Sequence, residues 1–417
     1  MSEENHKRLF YGSCFALITT AFSFSIRVGI LPELGQTFSL TAEQLGFINS
    51  MFFFGFPISM VLGGIFYGTI GPKNIMIFAF ITHTIGILMT IFANGYTGLL
   101  ISTLFIGLGN GCTEAACNPM IAASYSGKTM NTLLNRFHMW FPGGIVIGSL
   151  ISFAMTKMEL GWSAQIWVIM IPTLIYAYLF YGQKFPEPKD QKVASLKANL
   201  IAMSPIQRIA GKIKFTPLFI FMCACMTLTA ISEFGPSQWV TLILAKSGAE
   251  PLLILALTFG LMAIGRYFGG EFVHKFDQTG VLLGSAIFTT IGIFLFSTQT
   301  GPMAYFAAVI FAIGVCYFWP NMIGFTAEKM PITGAIGMSV VGAFGMLSTA
   351  IWQPVIGRWI DEEGVNAAAR GLDGDAMSLA AGQATLQKIM IFPIILIVLF
   401  TILFFWVRKT RPGSTAK

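Results

Sequence analysis

Apolar runs of membrane-spanning length, each closed by a short polar or basic interruption, organise this chain from end to end. A helix needs about twenty such residues to cross the hydrocarbon core of a bilayer. Inside hydrocarbon, a helix also satisfies its own backbone N–H and C=O groups. The pattern predicts spans over residues 9–31, 43–69, 73–94, 98–125, 131–156 and 165–183, then 216–245, 251–273, 279–299, 302–327, 333–358 and 384–408. These form two sets of six, an all-α polytopic membrane protein with twelve transmembrane helices. Residues 1–183 and 215–417 are the expected bundles, and the basic stretch 184–214 is the linker. Within the linker Val193, Leu196, Leu200 and Met203 recur at helical spacing, which predicts a short amphipathic helix on the membrane surface.

The charges orient these spans. Cytoplasmic loops of membrane proteins are enriched in Lys and Arg. Here His6 to Arg8, Lys73, Lys128, the linker, Lys275, Lys329 and the tail residues Arg408, Lys409, Arg411 and Lys417 alternate with segments near 33–43 and 94–97 that carry neither. The stretch after Arg358 is acid-rich and reads as a long loop on the opposite face. Both termini are therefore expected in the cytoplasm, with the chain in the cytoplasmic (inner) membrane. The first apolar run shows no small-residue cleavage site and is expected to remain as the first span.

Composition supports the same class, at 55% hydrophobic and 10% charged residues. The formal charge of +7 then reflects topology and not a nucleic-acid partner. All six cysteines fall in apolar runs and read as small packing residues, so neither a disulfide nor a metal site is expected. No cofactor is implied. No Ser/His/Asp arrangement has a recognisable spacing, which argues against an enzyme.

What composition leaves unexplained is the polar content of the spans. Glu114 sits inside Gly107-Leu-Gly-Asn-Gly-Cys-Thr-Glu-Ala-Ala-Cys-Asn-Pro119, where a charge costs roughly 2.5 to 3.5 kcal/mol on insertion scales. Asn110, Glu114 and Asn118 stand at i, i+4 and i+8 and form one polar stripe. Either the carboxylate faces a cavity and carries a proton, or it is a protonated residue that bonds neighbouring helices. In span 1, Arg27 shares a face with Thr20 and Ser23. It is expected to pair with Glu114, since a pair is cheaper than two isolated charges; its other reading is a counter-charge for an anionic substrate. Span 5 aligns Asn135, His138 and Pro142, with Arg136 nearer the cytoplasmic end as a gating candidate.

In the second half Thr229, Glu233 and Ser237 form another stripe, followed by Gln238 and Trp239. Trp319 and Asn321 in span 10, and Trp352 and Gln353 in span 11, place aromatic faces beside amides. Such walls suit a polyol ring, whose faces are apolar and edges polar; for any single aromatic, a place in the lipid belt or in packing is the stronger expectation. Arg266, near the end of span 8, is a second gating candidate and reads as a helix-end pair with Glu271. Small-xxx-small steps at Gly64/Gly68, Gly107/Gly111, Gly144/Gly148 and Gly265/Gly269 predict close helix approach.

Six plus six helices with an echo between Asn118-Pro119-Met-Ile and Trp319-Pro320-Asn321-Met-Ile resemble the major facilitator architecture. Glu114-Ala-Ala-Cys-Asn118-Pro119, Leu134-Asn135-Arg-Phe-His138, Glu233 with Trp239, and Ile264-Gly-Arg266-Tyr-Phe-Gly-Gly270 resemble the fucose/proton symporter family of that superfamily. The resemblance implies proton coupling through Glu114, sugar contact through His138, and import of a small sugar or related polyol by alternating access. A small-molecule substrate, a proton, surrounding lipid and a monomeric state go with it. The departure is in span 1, where the family's acidic residue falls at Val28 with Arg27 beside it. That leaves open a carrier of small organic anions such as sugar acids, with Arg27 as counter-charge.

Overall fold

A computed structural model of the chain describes residues 2–125, 127–186, 216–330 and 334–410, without the side chains of 127, 128, 130–132, 135, 268–276, 334–336 and 410. Its described elements are helices, and they fall into two compact units, Met1–Lys214 and Phe215–Lys417. The first unit holds α1 (Glu3–Thr37), α2 (Ala42–Ile91), α3 (Tyr96–Ser124), α4 (Gly127–Lys157) and α5 (Trp162–Phe180). The second holds α6 (Pro217–Ile243), α7 (Pro251–Phe276), α8 (Gln278–Thr298), α9 (Pro302–Val315), α10 (Phe318–Lys329), α11 (Gly334–Ala369), α12 (Gly374–Ile389) and α13 (Ile391–Thr410). The amphipathic helix expected around Val193 to Met203 lies outside the described residues.

Side chains set the helix starts as their spacing suggests. Ser2 and Thr216 accept from the backbone N–H groups of Asn5 and Phe219, and Thr41 forms a capping box with Gln44. Helix α2 has 50 residues, about 75 Å at 1.5 Å per residue, more than twice the hydrocarbon thickness. It is two spans folded at Gly71, whose φ of 73° is open to glycine, and the following Pro72 has no N–H to carry a helix through. Spans 2 and 3 are thus joined by a Gly-Pro step with almost no loop. Counting α2 twice, and α9 with α10 and α12 with α13 as single crossings, the described helices supply twelve crossings, of which Pro251–Tyr267 is the shortest apolar one.

Two boundaries differ from expectation. The stretch after Arg358 is no loop: α11 continues to Ala369 and α12 begins at Gly374. Three of its acidic residues are paired, Lys388 lying 2.8 Å from Glu363 and 3.7 Å from Glu362, and Lys246 2.8 Å from Asp375. Ion pairs of this kind let a charged segment stay helical. Span 10 is broken, because α9 ends at Val315 and α10 restarts at Phe318.

Neighbouring helices approach closely where glycine is required. A Cβ on Gly111 would collide with the Phe56 carbonyl oxygen and Ser59 Oγ of α2, and one on Gly107 with the Phe52 carbonyl oxygen. Since 107 and 111 face 52 and 56 in the same order, α3 runs parallel to the first half of α2. Helix α1 runs opposite to that half, with Phe24 against Phe52 and Gly35 against Leu45, so α1 and α3 are antiparallel. Gly64 meets nothing, so the expected Gly64/Gly68 contact does not form at Gly64.

Candidate functional site

In the first unit the decisive side chain is Arg27, 4% exposed. Its Nη2 donates to Asn49 Oδ1 at 2.6 Å, and its guanidinium carbon lies 5.2 Å from the centroid of the Phe52 ring. Both partners are neutral. Asn49 Nδ2 is itself buried with no partner among the described residues. The expected ion pair with Glu114 is not formed, and helix register explains why. Asn110 Nδ2 donates to Ser23 Oγ at 3.3 Å, which sets α3 level with α1 at those residues. Arg27 lies four residues beyond Ser23 and Glu114 four beyond Asn110, and in antiparallel helices these steps diverge. Eight residues of helix separate the two charges by roughly 12 Å along the axis. Glu114, half-buried, instead accepts from Asn118 Nδ2 at 2.6 Å on its own helix.

Asn110 belongs to a different assembly. His83 Nε2 donates to Asn110 Oδ1 at 3.0 Å, so His83 Nδ1 is the acceptor for the Tyr176 hydroxyl, also at 3.0 Å. Ser23, Asn110, His83 and Tyr176 form one hydrogen-bonded line through α1, α3, α2 and α5, with each member buried. A Cβ on Gly109 would collide with the imidazole, so Gly109 seats the ring that Asn110 binds. Sequence reasoning passed over His83 and Tyr176, since a neutral polar residue in an apolar run raises no alarm. The signal available was Gly109-Asn110-Gly111, a polar residue flanked by the absence of side chains.

In the second unit Arg266 has the charged partner that Arg27 lacks. Its Nη2 is 4.0 Å from Oε1 of buried Glu233, and its Nε donates to the Cys316 carbonyl at 3.1 Å. That carbonyl is free for a sequence reason: its helical donor would be the N–H of residue 320, which is proline. Tyr317 returns a second bond across the same gap, its hydroxyl donating to the Gly265 carbonyl at 2.7 Å. The break in span 10 is therefore clamped to α7. Arg266 faces Glu233 and Cys316; the side chain of Glu271, its expected partner, lies outside the described residues.

In the same unit, several expected substrate contacts are buried and unpaired among the described residues. They are Gln238 Nε2, Trp239 Nε1, Asn321 Nδ2 and both amide atoms of Gln353. Trp319 packs beside Gly342 and Gly345, and Trp352 lies against Phe392 with ring centroids 4.7 Å apart. No group of three or more His, Cys, Asp or Glu side chains suited to a metal occurs among the described residues.

Residues 13–353 match the Major Facilitator Superfamily. The chain belongs to that superfamily. Among curated relatives, the hexuronate transporter of Bacillus subtilis (strain 168) is 27% identical over 162 residues, covering 39% of this chain and 37% of that protein. Myo-inositol transporter 1 of Candida albicans (strain SC5314 / ATCC MYA-2876) is 22% identical over 272 residues, covering 63% and 47%. These matches thus span less than half of either relative's length. The fold is similar to that of a bacterial homolog of the human lysosomal transporter Spinster, in an inward-facing, unoccupied conformation. The TM-score is 0.79 at 16% identity, with 100% of both chains covered.

Three further residues expected to act in this superfamily member, Asn135, Arg136 and His138, lie on α4. His138 is exposed, its ring centroid 5.0 Å from that of Phe137, and Arg136 is exposed beside it on α4. The Asn135 side chain lies outside the described residues.

Proposed function

We propose that this protein is a secondary active transporter that imports a small polyhydroxylated carboxylate, such as a sugar acid, by alternating access with a coupled proton. The observation that carries the reading is Arg27: a buried guanidinium held by Asn49 and Phe52, with no carboxylate within ion-pair distance among the described residues. An arginine keeps its proton in proteins, and a buried cation without a counter-ion is costly. A substrate carboxylate would supply the missing charge through the planar, bidentate contact that guanidinium favours. The hydroxyls of such a substrate call for neutral donors and acceptors, and Asn49 Nδ2, on the side chain that holds Arg27, is buried with no partner among the described residues. Membership of the superfamily supports transport, and the names of the two relatives, a hexuronate and an inositol transporter, support a hydroxylated ring. In this reading the chain is a monomer in the cytoplasmic membrane with both termini inside.

A second reading keeps the transporter but makes its substrate a neutral sugar or polyol. It is favoured by the unpaired amides of the second unit and by the fucose-symporter resemblance around Glu114 and His138. Uptake into proteoliposomes, with D-glucuronate, D-galacturonate, D-glucose and myo-inositol as competitors, separates the two. Hexuronates alone should compete, and Arg27→Gln should lower hexuronate uptake at least about 30-fold, the equivalent of the 2 kcal/mol lost when one partner of a buried charged contact is removed. Equal competition by neutral sugars, with uptake surviving in Arg27→Gln, would overturn the anion reading.

A further inference from the structure

We propose that Glu233, and not Glu114, is the carboxylate that takes up and releases the coupled proton, and that Arg266 passes its charge state to the break in the span formed by α9 and α10. The proposal rests on the proton-driven reading above and assigns the residue that performs it.

Glu114 and Glu233, carboxylates of apolar helices among the described residues, differ in what their charge can reach. Glu114 is half-buried, and Asn118 bonds both its Oε2 and its backbone carbonyl, at 2.6 and 3.2 Å. A proton added there alters a contact within one turn of α3. Glu233 is buried on α6, and its charged neighbour Arg266 is on another helix. At 4.0 Å the two attract without a short hydrogen bond, so removing the negative charge needs no strong bond to be broken. What changes is the position of Arg266, whose Nε holds the one carbonyl that Pro320 leaves without a helical donor.

Among the described residues, the titratable groups facing Glu233 are Arg266 on α7 and Cys316 at the end of α9, with Tyr317 next to it; the side chains of Glu271, His274 and Lys275 on α7 lie outside the described residues. On the other helices packed against α6, several charged side chains have other neighbours. Lys388 is held by Glu363 and Glu362, Lys329 by Glu328, and Arg408 stacks on Phe404. Arg358 and Asp361 have contacts of their own, and Lys409 is exposed near the end of α13.

The cycle balances. With the carrier open to the outside, one proton passes from water to a Glu233 Oε, forming an O–H bond and cancelling the carboxylate charge. Arg266 then has no counter-charge and is held by the Cys316 carbonyl alone, so the clamp on α9 and α10 loosens. On the inside the O–H bond breaks, the proton enters water, and the Glu233–Arg266 pair re-forms. One proton and one monoanion move together, and no net charge crosses.

Two measurements on purified full-length protein test this with Glu233→Gln, Glu233→Asp and Glu114→Gln. Infrared difference spectra between pH 5 and pH 9, recorded without substrate, report the C=O stretch of a protonated buried carboxyl. The band should vanish in Glu233→Gln, move in Glu233→Asp and persist in Glu114→Gln. In proteoliposomes loaded with D-glucuronate, Glu233→Gln should lower pH-gradient-driven accumulation at least tenfold more than it lowers isotope exchange. A band that vanishes only in Glu114→Gln, no titrating band at all, or accumulation in Glu233→Gln that still follows the pH gradient would overturn the proposal. Absence of any D-glucuronate movement in the wild type would refute the anion reading, and the infrared titration would still decide the role of Glu233.

Discussion

Each unit of this protein carries an arginine within an apolar helix, and the two are satisfied in opposite ways. Arg27 has a neutral amide and an aromatic face; Arg266 has a carboxylate and a carbonyl released by a proline. In low-dielectric surroundings a cation without a counter-ion attracts one, whereas a paired cation resists losing its partner. The same residue type therefore suits binding in the first unit and response to a proton in the second. Both units keep buried polar atoms without a partner among the described residues, Asn49 Nδ2 in the first and those of Gln238, Trp239, Asn321 and Gln353 in the second, and the first unit also carries the bonded line Ser23, Asn110, His83 and Tyr176.

Substitutions can break this comparison by the sign of their effect. The largest change is expected for Arg266→Gln, which strands the Glu233 carboxylate. Stability toward unfolding in detergent should fall by about 2 kcal/mol, below the 3–5 typical of a fully buried pair because Arg266 retains some exposure. Adding Glu233→Gln to the same chain should restore most of that loss. Next comes Tyr176→Phe, which leaves His83 Nδ1 buried without its donor and should cost about 1 to 2 kcal/mol. The smallest effect has the opposite sign: Arg27→Gln removes a buried cation that has no counter-ion and should raise stability by about 1 kcal/mol even as hexuronate uptake collapses. Equal losses of stability in Arg27→Gln and Arg266→Gln would erase the distinction between the two arginines.

Much of the fold was legible in run length. The errors have specific physical causes. The acid-rich stretch after Arg358 looked like a loop because its charges were read singly, yet Glu362 and Glu363 meet Lys388 on the next helix and the stretch stays helical. Helical spacing correctly put Glu114 and Asn118 on one face, and they bond. The same spacing could not tell which residue of α1 lies level with which residue of α3. Ser23 against Asn110 decides that, and it separates Arg27 from Glu114. Spacing also puts Arg266 near Glu271, whose side chain lies outside the described residues; the described partners of Arg266, Glu233 and Cys316, come from other helices.

The sequence by itself determined the class of the protein: apolar runs of bilayer length, basic segments between them, and a Gly71-Pro72 step between two of those runs. These are local properties, since run length, missing N–H groups and permitted φ belong to single residues or short segments. Only the tertiary structure decided which polar side chains meet. Rotation and axial register of one helix against another arise from close contacts such as Gly111 on Phe56 and Gly109 on His83, summed over residues distant in the chain. For that reason Arg27 was visible from the start as an unusual charge, while its neutral partners, and the carboxylate that Arg266 holds, appeared only once the helices were packed.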